Sequence, residues 1–128
     1  MSRRIDIARA YLKALESNAS PDAFFTPDIE QVEFPNRLNP NGGKSNLAEM
    51  QSRAERGRGM VRQQTYDVRR TYEQGDTVIL EVDWNATFNV AVGTLQPGEP
   101  MKAHFAVFLD FEADRIRRQR NYDCFEPF

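Results

Sequence analysis

The chain has 128 residues, 40% hydrophobic and 28% charged, with a formal net charge of -2. That length is the size of one ordinary domain with core enough to fold unaided, so a single domain over residues 1–128 is expected. The composition excludes a disordered chain, no apolar run approaches the roughly 20 residues of a membrane span, and the net charge gives no reason to expect nucleic acid.

Residues 3–16 carry Ile5, Ala8, Tyr11 or Leu12, and Leu15 at helical spacing, with Arg and Lys on the other face, which predicts an amphipathic helix. Ser20-Pro21-Asp22 opens a short second helix, Ser20 as N-cap, with Phe24 and Phe25 as its buried anchors. Pro27-Asp28 breaks it, and residues 29–34 form a first strand. Residues 35–44, rich in Pro, Asn and Gly, are a surface loop. A third helix starts near Leu47 behind Asn46, with Glu49 at capping-box spacing, and ends near Gly57 and Gly59.

The rest is strand. Residues 61–72 and 77–92 flank a turn at 73–76; a Gly/Pro connection at 93–100 leads to strands 101–111 and 116–125 around a turn at 112–115. These strands exceed the usual length of about 5–6 residues, and long strands twist and bulge into a half-barrel. The expected class is therefore α+β: three helices from the N-terminal half on a strongly curved antiparallel sheet that encloses a pocket. The loops at 35–44 and 93–100 are expected to be mobile.

Strand alternation puts Gln119, Asn121, Asp123 and Phe125 on one face of the last strand. The turn decides what they meet. A three-residue loop over Glu112-Ala113-Asp114 sets Asn121 opposite Phe105 and Asp123 opposite Ala103, giving an apolar pocket with an amide pair and a carboxylate. A two-residue loop over Ala113-Asp114 sets His104 opposite Asp123 and makes a His–Asp pair. The first is the expected register, because it places Phe105, Val107 and Leu109 inside. Trp84 is core or pocket wall.

Other chemistries lack their residues. Gly43-Lys44-Ser45 has Leu38 where a phosphate-binding loop needs its first glycine. One histidine and one cysteine leave no metal site to expect. Cys124, the single cysteine, excludes an internal disulfide and points to a reducing compartment; with no signal-peptide core at the N-terminus, the cytoplasm is expected. The clusters Arg53/Arg56/Arg58/Arg62, Arg69/Arg70 and Arg115/Arg117/Arg118/Arg120 read as solvated faces paired with acidic residues, an RNA or anionic ligand being the alternative.

Three segments carry a family resemblance: Ala10-Tyr11-Leu12-Lys13-Ala14-Leu15, Val32-Glu33-Phe34-Pro35, and Phe111-Glu112-Ala113-Asp114-Arg115-Ile116 through Arg120-Asn121-Tyr122-Asp123. With the order of elements, they make the chain resemble the SnoaL-like branch of the nuclear transport factor 2-like superfamily, which includes polyketide cyclases and ketosteroid isomerase. The resemblance implies a cystatin-like cone around a hydrophobic pocket whose entrance the loops at 35–44 and 93–100 edge. It supports a homodimer through the sheet, which strands with apolar residues on both faces also call for, and no cofactor is expected. It places Tyr11 where the isomerase has its oxyanion-donating tyrosine. Where the isomerase has its general base, the residue is Phe34. Cyclases and epoxide hydrolases of the superfamily use carboxylates on later strands, and Asp123 with Asn121 stands nearest to these. The candidate catalytic residues are thus Asp123, Tyr11 and His104, and the candidate binding residues Trp84, Phe34, Asn121, Gln119 and Phe105. The expected ligand is a small hydrophobic carbonyl-containing or cyclic metabolite, turned over by acid–base chemistry or, alternatively, only bound.

Overall fold

A computed structural model describes residues 2–128. Helix α1 spans Arg3–Glu16, capped by the Ser2 side chain and burying Ala8, Tyr11 and Leu12. Helix α2 spans Leu47–Gly57. Its capping box is the expected one: Asn46 Oδ1 accepts from the Glu49 backbone at 2.9 Å, and Glu49 Oε1 accepts from the Asn46 backbone at 3.0 Å.

The expected middle helix is not an α-helix. Asp22–Phe24 forms one 3-10 turn, and strand β1 runs from there as Phe25–Glu33. Pro27 does not end anything. It sits exposed where the pairing of β1 shifts register between Phe25 and Glu30, so its missing N–H leaves no ladder bond broken. Two helices, not three, cover the sheet.

The six strands lie in the order β2-β1-β6-β5-β4-β3. Strand β2 is the short Gly43–Ser45, unforeseen within the loop; β3 is Val61–Gln74, β4 Thr77–Phe88, β5 Met101–Glu112 and β6 Arg115–Phe125. The sheet is mixed, because β6 inserts beside β1 and runs parallel to it. The other pairs are antiparallel. The β3–β4 turn shortens to Gly75-Asp76, with Gly75 at φ 59.

The β5–β6 hairpin follows neither the expected register nor its alternative. Glu112 pairs with Arg115 across a two-residue turn, Ala113-Asp114, with Ala113 at φ 52. Phe111 then pairs with Ile116 but Asp110 with Arg118, so Arg117 is an extra residue, a bulge. The bulge restores the parity that the short turn would have inverted. Phe105 faces Asp123, Val107 faces Asn121 and Leu109 faces Gln119. The face assignment expected from alternation stands, with each partner moved one alternation along.

Bulges in β1, β3 and β6 bend the sheet, and its concave side carries the core. One cluster joins Ala8, Tyr11 and Leu12 of α1 to Leu80, Val107, Leu109 and Ile116. A second gathers Trp84, Ala86, Met101 and Ala103, with Phe88, Phe125 and Phe128 packed on it. Among the described residues no helix is long and apolar enough to cross a membrane.

Candidate functional site

A cavity of about 750 Å³ opens between α1, α2, the start of β3 and the concave face of the sheet. Tyr11, Phe105, Val107, Gln119 and Asn121 line it, with Tyr66. Neither the 35–44 loop nor the 93–100 loop borders it, contrary to expectation. The mouth is formed instead by residues 18–22 and by α2. Arg37 and Phe128 tie the first of those loops to the chain end, the guanidinium lying 4.7 Å from the ring centre.

Alternation on β6 builds a polar row across this apolar space. The Tyr11 hydroxyl donates to Gln119 Oε1 at 2.8 Å, and Gln119 Nε2 donates to Asn121 Oδ1 at 2.9 Å. Both Tyr11 and Gln119 are buried. Burial pushes the Tyr11 phenol up to about 12, against the opposing pull of the Gln119 bond and the Arg53 charge. Tyr11 therefore stays protonated, with its proton directed at Gln119. The pair of amides passes the polarity on: Asn121 Oδ1 is an acceptor, which leaves its Nδ2 as a donor, and no protein acceptor takes it among the described residues.

Asp123 follows one alternation beyond Asn121, opposite Phe105. Its Oδ1 is buried and has no hydrogen-bond partner among the described residues. Burial, and then the negative charge of Glu33, raise its carboxyl to about 7. Asp123 and Trp84 do not border the 750 Å³ cavity itself. Trp84 stacks on Phe105 at 5.3 Å and donates to Gln64 Oε1 at 3.1 Å. Phe105 and Tyr66 pack against both core clusters and line the cavity, so they form the wall between it and the Trp84 side. Burial and the nearby Tyr11 and Asp123 groups raise the Tyr66 phenol further still.

Two candidates fall elsewhere. Phe34 does not line the cavity: it stacks on Tyr122 at 4.4 Å on the convex face, 36% exposed. Strand parity explains this, since Gln31 and Glu33 pair with Gln119 and Asn121 and so point inward, leaving Phe34 outward. His104 is also on the convex face. Its Nδ1 lies 2.8 Å from Asp83 and its Nε2 3.0 Å from Glu126, and these carboxylates raise its pKa above the ordinary value. Its pairing partner is Cys124, not Asp123, so the His104–Asp123 pair of the alternative register does not form.

Glu33 is the residue the sequence reading missed. It sits on the concave side, accepts from Asn36 Nδ2 at 2.7 Å, and acts on Asp123. The signal was present as parity with Ile29 and Gln31.

The family model of the SnoaL-like domain matches residues 8–119. Among solved structures the chain is similar to AclR, a candidate hydroxylase from Streptomyces galilaeus, with a TM-score of 0.79 and 18% identity over 97% of this chain and 80% of that one. It is similar to a nuclear transport factor 2-like protein of unknown function from Burkholderia pseudomallei, with a TM-score of 0.77 and 17% identity over 98% and 92%. It is also similar to IdmH, a candidate polyketide cyclase from Streptomyces antibioticus, with a TM-score of 0.77 and 15% identity over 95% and 92%. At such identities the likeness is one of fold. No curated protein matches the sequence.

Proposed function

The chain belongs to the SnoaL-like domain family, and from that membership we propose a cofactor-independent enzyme of isomerase, cyclase or hydrolase type. Its substrate is a small hydrophobic carbonyl-containing or cyclic metabolite, on which it moves a proton. The observation that carries this reading is Asp123: a largely buried carboxyl with one unpartnered oxygen and a pKa near 7, on the face that also presents the Tyr11–Gln119–Asn121 row. A carboxyl poised near neutrality can take a proton from carbon and return it.

The roles divide as follows. Asn121 Nδ2 donates to the carbonyl oxygen as negative charge develops there. Tyr11 is a positioning residue, fixing the Gln119 amide and through it Asn121. A ligand against Asn121 is one strand alternation, about 7 Å, from Asp123, within reach of a ring-sized body. Asp123 removes the proton α to the carbonyl, the electrons move onto the oxygen, and reprotonation at carbon restores the carbonyl.

The test is deuterium exchange. Cyclohexenone and cyclic diketone probes in D2O, followed by proton NMR, should exchange faster with the protein, and Asp123→Asn should lower that gain about a hundredfold. Equal exchange with the wild type and the variant would end the proposal. A second reading, a binding module without chemistry, is favoured by one fact: Asp123 lies outside the lined cavity. Probe binding with no exchange would select it. On either reading the partner surface is a second copy of this chain against the convex sheet.

A further inference from the structure

Three arginines and three acids border the cavity mouth: Arg53, Arg58 and Arg62 with Glu16, Asp22 and Glu55. Their partners differ. Glu55 is paired with Arg58 at 2.8 Å. Asp22 accepts from Gln51, and Glu16 accepts from the Tyr66 backbone and sits 3.6 Å from Lys13. Glu55 and Glu16 are thus ion-paired, and Asp22 alone of the three acids meets only a neutral amide. Arg53 and Arg62 make no ion pair among the described residues and hold only neutral groups, Arg62 donating to Asn89 Oδ1 at 2.9 Å.

Arg53 is the better placed of the two. It projects from α2 across the mouth, donating to Ser45 Oγ at 3.0 Å and to Gln31 Oε1 on β1. Both acceptors are neutral and each takes one of its two terminal nitrogens, so no carboxylate compensates the charge of the guanidinium. Its charge is felt at the Tyr11 hydroxyl on the cavity wall. Each terminal nitrogen keeps a second N–H, and a guanidinium presents such donors in the planar geometry that an oxyanion accepts. Below it the wall is apolar, with Phe105, Val107 and Met50.

Building on the ligand pocket just described, we propose that the ligand is an amphipathic anion: an apolar, ring-sized body bearing one terminal oxyanion, which Arg53 binds at the mouth while the body lies against Phe105 and Val107. The charged end then sets orientation, so that the remainder of the ligand reaches the Asn121 amide in one direction only. Arg53 is a specificity-determining residue rather than part of the proton chemistry.

Two dyes sharing one apolar body separate the claims. 8-Anilino-1-naphthalenesulfonate carries an oxyanion and N-phenyl-1-naphthylamine does not. Fluorescence titration should show the sulfonate dye binding about tenfold tighter or more, as a charge-assisted bond requires. Arg53→Gln should remove that preference while leaving the neutral dye's affinity unchanged, which also shows that the variant is folded. Arg117→Gln, exposed on β6, should change neither. Added salt should weaken only the sulfonate dye. Equal affinities for the two dyes, or an equal loss in Arg117→Gln, would overturn the anion site and leave the pocket reading standing. Binding of neither dye would overturn both.

Discussion

Asp123 is held where its charged form is costly: its Oδ1 is buried without a donor, and Glu33 adds a second negative charge nearby. Both effects favour the protonated acid, so the sign of the pH dependence is fixed. Below about 7 the carboxyl is protonated and cannot accept a proton; above it the carboxylate is the base. The exchange rate should therefore rise with pH through about 7 and level off, whereas an ordinary aspartate would already be level above about 5. The row Gln119, Asn121, Asp123 was legible in the sequence because alternation needs no knowledge of the turn beyond its parity. Phe34 was misplaced because the resemblance to a motif outweighed that same alternation, which points Glu33 inward instead.

At the scale of elements, the β5–β6 hairpin decides whether any of this is possible. Its two-residue turn forces Ala113 to φ 52, a conformation that strains a residue with a Cβ. Ala113→Gly should relieve the strain and raise stability by about 0.5–1 kcal/mol, after the loss from glycine's greater unfolded-state entropy. Urea unfolding with a higher midpoint and an unchanged slope is expected; a lower midpoint would show that Ala113 is not strained. The capping box of α2 could be read directly, since both residues that make it are local. The bulge at Arg117 could not: nothing in Arg117-Arg118 marks which residue will be unpaired, and only packing of Phe105, Val107 and Leu109 against α1 and the cavity selects it. The same limit applies to Ser20-Pro21-Asp22, a sound helix start that yields one 3-10 turn because Phe25 is already taken into the sheet.

For the molecule as a whole, the concave side is filled by α1, α2 and the cavity, and the convex side is left open. There Phe34 stacks on Tyr122, Phe108 meets Tyr122 edge-on at 5.5 Å, and Arg120 lies over Phe108 while bonded to Asp110. Tyr122 is 41% exposed. We propose that a second copy covers this aromatic patch. Light scattering at micromolar concentration should give twice the chain mass of 14.8 kDa, with Tyr122→Glu shifting it toward the monomer; a wild-type monomer would contradict the assignment. The central claim, however, rests on one group on the opposite side of the sheet. Carboxyl-carbon NMR of protein labelled at aspartate, with Asp123→Asn to assign the resonance, reads that group directly. The account predicts a midpoint for Asp123 near 7, moving partway down in Glu33→Gln because burial, the larger cause, remains. A midpoint at the ordinary aspartate value of about 4, unmoved by Glu33→Gln, would contradict it.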